Sequence, residues 1–362
     1  MSMLQPFSPT RATYHDLVQQ TLALTDDERT MLAQNGFVVT DRLSCTNFAF
    51  AYAYLHWRDL PVLITTDSLL HAMHQGFDDM LMEAEESFLG DSLRQVLEGC
   101  HTAAQQMQMA NTEPALHAVL DDVIVYFAVP LALLNSEQFD GAFLGDAQFD
   151  DAEEDDDALA YDMTNIFRRF REAADTALNA LPPAVARYVR AATEAAGAQS
   201  VTLFGDARTI DFTLFAPRGH YTKSRNLSHY FRALSWLQQI DFRLVAIDQQ
   251  GNPVLQPQHL AAATLLLQAI ASAGQRATLE RMDAFLTSIV GPSDNTTLRD
   301  FERFLTDAAL ADPAAALTPA DPDRLRHMLL SGAYGQQRIA GQLQVTDPGM
   351  PTAPRNVSLL LL

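Results

Sequence analysis

Thr65-Thr66-Asp67-Ser68-Leu69-Leu70-His71-Ala72-Met73-His74-Gln75-Gly76-Phe77-Asp78 carries its acidic and imidazole groups at helical spacing. At about 100° per residue, Asp67, His71, His74, Asp78 and the later Glu85 fall within an arc of roughly 60°, one polar stripe on a helix. The helix is predicted to run from about Asp67 to Ser87.

Upstream of it, Leu60 to Ile64 reads as an extended lead-in, and the alanines of Asn47 to Leu55 favour helix over strand. Thr25 with Glu28 makes a capping box for a short helix through Gln34, and Gly36 sits where that helix stops. Downstream, helical periodicity covers 92–110, 115–134, 158–178 and 183–196, the last two separated by Pro182-Pro183. Residues 201–216, rich in Thr, Phe, Val and Ile with glycine nearby, are the best candidates for short β structure. Helices resume near 225–240, 257–273, 276–290, 296–308 and 321–330. The expected fold is therefore mainly α, a multi-helical array of antiparallel helices with minor β structure.

Four stretches follow from composition: an N-terminal segment 1–24, a helical half 25–140 with the Asp/His helix, an acidic loop 141–157, and a second helical half 158–362. Asp146, Asp150, Asp151, Glu153, Glu154 and Asp155 to Asp157 repel one another and favour a solvated loop. The spaced ligands of a calcium loop are missing from it. The loop either divides two domains or interrupts one. The closing Leu359-Leu360-Leu361-Leu362 reads as a core element cut short, which would leave apolar surface exposed.

Composition limits the partners. The chain has 362 residues, 48% of them hydrophobic, and 24 Lys plus Arg against 45 Asp plus Glu give a net charge of -21. A phosphate backbone or an anionic membrane would meet repulsion. Nucleic acid is excluded as a partner, and membrane insertion is not expected because no run approaches the ~20 apolar residues of a spanning helix. A protein or a small-molecule ligand is the partner left. Met1 to Pro9 lacks the cationic start and apolar stretch of an export signal, so the chain as written reads as soluble and cytoplasmic. Cys45 and Cys100 are too few for a disulfide framework.

Two constellations carry chemistry. In the stripe, Asp67 with His71 and His74 with Asp78 are i,i+4 pairs. Asp67, His71, His74 and Asp78 form a candidate ligand set for a divalent metal, and the two histidines alternatively form proton-transfer pairs. The structural alternative makes Asp67 an N-cap and the histidines hydrogen-bonded core residues. The second constellation is Arg218-Gly219-His220-Tyr221-Thr222-Lys223, which holds the only lysine of the chain. Lys223 and His220 are candidate catalytic residues, and Arg218 and Tyr221 candidate ligand-binding residues. A surface loop before a helix is the plainer reading. His56-Trp57, Tyr52 and Tyr54 suit an aromatic pocket or partly buried surface. The chain has no phosphate-binding glycine loop and no nucleophile elbow, which disfavours kinase, dinucleotide-binding and α/β-hydrolase chemistry.

Several motifs occur together: Asn35-Gly36-Phe37-Val38-Val39, Asp59 to His74, Asp211-Phe212-Thr213, Pro217 to Ser224, Tyr230-Phe231-Arg232-Ala233, Trp236-Leu237 and Val290 to Asp294. On these the chain resembles the domain of unknown function 3160 family from about residue 25 onward. The resemblance implies a bacterial protein without an assigned activity. Many members begin with an export signal, which implies an exported or cell-surface location if a leader is missing, and many continue past this chain's last residue. The functional expectation is a binding or scaffold protein. The alternative is a helical enzyme, a metal-assisted hydrolase in which the stripe and the Arg218/His220/Lys223 loop share one cleft.

Overall fold

The computed structural model describes residues 8–40, 42, 45–135, 172–248, 250–293, 295–335 and 357–361. The acidic loop 141–157 and residues 158–171 of the helix expected over 158–178 lie outside them. The fold is mainly α with minor β, and the chain divides into two compact units, Met1–Met80 and Leu81–Leu362.

The first unit holds a 3-10 turn at Pro9–Arg11, then α1 (His15–Thr21), α2 (Asp26–Asn35), α3 (Phe48–His56) and most of α4 (Thr66–Ala84). Helix α2 starts and stops as its sequence dictates. The Thr25 hydroxyl accepts from the Glu28 backbone N–H at 3.2 Å, and Glu28 returns the bond to the Thr25 N–H at 2.8 Å. Gly36 then closes the helix at φ 79°, a left-handed position that costs glycine no steric strain. Helix α4 is capped differently from expectation. Thr65, not Asp67, takes the N-cap role: its hydroxyl accepts from the Ser68 N–H at 3.3 Å, while the Ser68 hydroxyl accepts from the Thr65 N–H at 3.2 Å. Only Leu24, Leu60 and Ser68 are buried among the described residues of this unit.

The second unit carries the core. It begins with the last turn of α4 and continues through a π-helical turn at Glu85–Leu89, α5 (Gly90–Ala110) and α6 (Pro114–Leu134). A three-residue connection, 111–113, folds α5 and α6 into a hairpin. After the helical stretch α7 at 172–179 come α8 (Pro183–Thr193), α9 (Arg225–Gln239), α10 (Pro257–Ser272), α11 (Arg276–Val290), α12 (Leu298–Ala308), the short α13 (Pro313–Leu317) and α14 (Pro322–Leu330). Helix α6 packs against α5, α8, α9 and α10. It is long and apolar enough, by length and composition alone, to cross a membrane, contrary to the expectation that no run would be. Ten of its side chains, among them Tyr126, Phe127 and Leu133, are buried here inside protein. One core joins residues from both sides of the acidic segment, from Leu89 to Leu361.

The β structure is small and antiparallel. Strands β1 (Ala198–Leu203) and β2 (Asp206–Asp211) pair through a two-residue turn, Phe204-Gly205, with φ of 57° and 72°. Positive φ at both positions is the turn geometry whose twist matches a hairpin. Phe204 pays for its strained backbone by burying its ring against Phe242, at 4.9 Å, and by donating its N–H to Asp122 at 2.6 Å. The second sheet has the order β4 (Pro253–Leu255), β3 (Phe242–Ile247), β5 (Val357–Leu359). In β5, Leu359 pairs with Phe242 and Val357 with Val245, across an irregularity between Arg243 and Val245. Val357, Leu359 and Leu361 are all buried. In place of the expected exposed apolar stretch, Val357–Leu359 form a strand whose residues Val357 and Leu359 join the core.

Behind these strands lies a buried ionic network. Arg208 pairs with Asp241, which also accepts from Arg243 and, at 2.6 Å, from the Ser358 hydroxyl. His259 accepts the Arg243 N–H on Nδ1 at 3.1 Å. Burial, reinforced by Arg208, pushes His259 down to about 3, so it is neutral. Every charge in this set has an opposite partner, as a buried ion needs.

Candidate functional site: a buried glutamate at a helical break

The polar stripe of α4 does not continue as a stripe. Asp67, His71 and His74 are exposed, and His74 Nδ1 lies 3.5 Å from Asp78 Oδ1 with 66% of its side chain exposed. His71 sets its ring edge-on to Phe48 at 4.8 Å. Among the described residues no three His, Cys, Asp or Glu side chains come together closely enough to hold a metal ion. The four groups proposed as ligands thus form one exposed ion pair, one ring contact and an exposed first-turn carboxylate.

The fifth member behaves differently. Glu85 is the first residue of the π-helical turn, where each residue turns less than in an α-helix and the face of the helix is re-aimed. Such turns recur at functional sites. Glu85 is 6% exposed and receives two hydrogen bonds from the Pro217 to Ser224 loop. Tyr221 donates its hydroxyl to Oε1 at 2.7 Å, and His220 Nε2 lies 2.7 Å from Oε2. The Tyr221 hydroxyl and, in the tautomer that carries its proton on Nε2, the His220 ring both direct donors at one carboxylate.

The loop is shaped to deliver these groups. Gly219 has φ of 60° at the start of a 3-10 turn over Gly219–Thr222, which places His220 and Tyr221 side by side with ring centroids 4.0 Å apart. Ser224 ends the loop by capping α9 through the Leu227 N–H at 3.2 Å, and its hydroxyl also bonds Glu86. From α9, Tyr230 adds a ring that is 3% exposed. Burial and then the neighbouring Glu85 charge raise both tyrosine hydroxyls, so they stay protonated donors; in Tyr221 the hydrogen bond to Glu85 adds to the effect.

A cavity of about 70 Å³ opens beside this group, lined by Glu85, Glu86, Asp91, Arg94, Asn226 and Tyr230, with Gly90 and Leu134 completing the wall. Arg94 is oriented by Asp91 at 2.8 Å and Asn135 at 3.1 Å. No bond to another described side chain or backbone group engages the Tyr230 hydroxyl.

The sequence-predicted residues separate accordingly. His220 and Tyr221 enter the cluster. Arg218 is exposed, its guanidinium 6.0 Å from the Phe231 ring, and Lys223 is the exposed residue that closes the 3-10 turn. His71 and His74 belong to the first unit, whereas His220 and Lys223 belong to the second. Trp57 is 73% exposed and Tyr54 stacks under Arg58 at 4.1 Å, with no enclosed aromatic pocket among them. Sequence reasoning missed Glu86, Asp91, Arg94, Asn226 and Tyr230 as site residues. The adjacent acids Glu85-Glu86, breaking an amphipathic helix just before a glycine, were the available signal. Cys100 is buried and its thiol is pushed up to about 12 by desolvation, so it offers no thiolate; both cysteines are unpaired.

The chain belongs to the family described as "Protein of unknown function (DUF3160)", whose model matches residues 25–357. Comparisons with curated proteins and with solved structures gave no match.

Proposed function

We propose that this protein binds a small polar ligand in the cavity beside the π-helical turn, with Glu85 as the buried anchor. The carrying observation is a carboxylate 6% exposed, held by Tyr221 and His220 from a loop more than a hundred residues away and facing a polar cavity. Burying an ion costs several kcal/mol unless it is paired, so a buried carboxylate set against a polar cavity marks a candidate binding site. A scaffold protein would gain the same packing from an apolar residue at this position.

The test is thermal unfolding of the wild type and of Glu85→Gln against a panel of small polar metabolites. Binding should raise the wild-type transition by several degrees for at least one class and leave Glu85→Gln unmoved. A panel with no stabilising compound counts against the reading.

One observation favours a second reading, that of a hydrolase. A carboxylate-bound imidazole is the arrangement that poises a general base, and His220 Nδ1 would be the basic atom. A metal-assisted version built on Asp67, His71, His74 and Asp78 has less support, because those groups are exposed and do not cluster. Hydrolysis of model esters or glycosides that is lost in His220→Gln would favour the enzyme reading.

A further inference from the structure

We propose that the ligand of this cavity presents a primary ammonium group, as a simple amine or an amino acid does. The inference rests on the binding reading above and names the chemistry of its ligand. The lining contains three carboxylates, Glu85, Glu86 and Asp91, against one guanidinium, Arg94. An anionic group therefore enters against net repulsion, and a neutral polyol leaves the excess negative charge uncompensated.

Hydrogen-bonding capacity points the same way. Each Glu85 oxygen accepts one bond from the protein, from Tyr221 or His220, and a carboxylate oxygen has a second acceptor site. Tyr230, whose residue is 3% exposed, lines the cavity, and its hydroxyl has no partner among the described residues. The cavity wall there offers an open acceptor that a ligand donor would satisfy. The Asn226 carbonyl at the same wall is a further acceptor. An ammonium brings three donors and one positive charge, matching acceptors from two or three directions around the Glu85 carboxylate. A bare metal ion is a worse fit, because no three ligating side chains converge among the described residues. Arg94, oriented by Asp91 and Asn135, and the Asn226 amide line the same cavity and are its donors for the carboxylate of an amino acid.

The experiment is ligand-observed NMR on the full chain at matched ionic strength, titrating methylammonium chloride, glycine, glycerol and sodium acetate. Ligands this small bind at millimolar concentration or weaker. Methylammonium and glycine should bind, glycerol and acetate should not, and glycine binding more tightly than methylammonium identifies an amino acid over a simple amine. Tyr230→Phe removes only the unpartnered hydroxyl, should fold as the wild type does, and should weaken methylammonium binding about tenfold, with Glu86→Gln weakening it further. Glycerol binding in a Glu85-dependent manner, without amine binding, overturns the ammonium inference and leaves the ligand-binding reading intact. Silence from all four probes with a folded protein overturns both. Amine binding unchanged in Tyr230→Phe and in Glu86→Gln overturns the assignment to this cavity.

Discussion

Two carboxylate–imidazole pairs in this chain share their chemistry and differ in their setting. His74 and Asp78 meet at 3.5 Å across one turn of α4 with side chains 66% and 27% exposed. His220 and Glu85 meet at 2.7 Å across 135 residues of sequence with side chains 13% and 7% exposed. In the first pair water screens the charges and two flexible side chains must be ordered, so little stability results. In the second pair the low dielectric strengthens the attraction and also makes each partner depend on the other. Spacing along a helix therefore identifies groups that can pair, and burial decides which pairing matters.

The largest expected effect separates the two carboxylates. Glu85→Ala leaves the Tyr221 and His220 donors facing an apolar gap and should lower the unfolding free energy by about 3 kcal/mol. Asp78→Ala should change it by less than about 0.5 kcal/mol. Urea denaturation of both variants makes the comparison, and equal losses would break it.

A second test uses pH on another carboxylate of the buried unit. Desolvation, with a smaller push from Asp121, raises Asp122 to about 6 against the opposing Phe204 N–H. A carboxyl raised in the folded state binds its proton more tightly there than when unfolded. Its contribution to stability is present in full below about pH 4 and is lost as pH rises through about 6. Asp122→Asn keeps an acceptor for the Phe204 N–H and should therefore stabilise the protein by ~2 kcal/mol at pH 8 and leave it unchanged at pH 4. Equal effects at both pH values would show that Asp122 titrates as an exposed group does.

Next in size, Tyr221→Phe removes one bond to Glu85 and should cost about 1 kcal/mol. The same change at Tyr230 deletes a hydroxyl that has no partner among the described residues, so thermal unfolding should show no loss. A cost at Tyr230 as large as at Tyr221 would reveal a structural role for that hydroxyl.

The smallest effect is expected in the stripe. His71→Gln with His74→Gln should shift stability by no more than about 0.5 kcal/mol, since one histidine forms an exposed pair and the other a single ring contact. A loss of several kcal/mol would mean that the histidines are buried structural residues after all.

What the sequence disclosed follows the range of the interactions involved. The Thr25/Glu28 box, the Gly36 stop and the helix at Arg276–Val290 depend on residues within a few positions of each other, and each was legible. So in part was the short β structure expected over 201–216, which holds the end of β1 and all of β2 before the 3-10 turn at Phe212–Phe215. The sheet β4-β3-β5 was not, because β5 joins Phe242 to Leu359 and no local pattern announces so distant a partner. Leu359, the first of the closing leucines, therefore read as part of a fragment when it ends a strand. In the site, the helical wheel included Glu85 as one polar group of five and could not show that a π-helical turn separates it from the rest. His220 and Tyr221 stood out through the loop's composition, yet their target carboxylate lay in another motif. Tyr230 and Asn226 looked like ordinary residues of an amphipathic helix, and only the cavity distinguishes them.

Double-mutant cycles on the two pairs test the central claim, that the chemistry of this chain is organised around Glu85. Glu85→Gln with His220→Gln should give a coupling energy of about 2 kcal/mol, and Asp78→Asn with His74→Gln less than about 0.5 kcal/mol. A Glu85–His220 coupling no larger than that of the exposed pair would contradict the account.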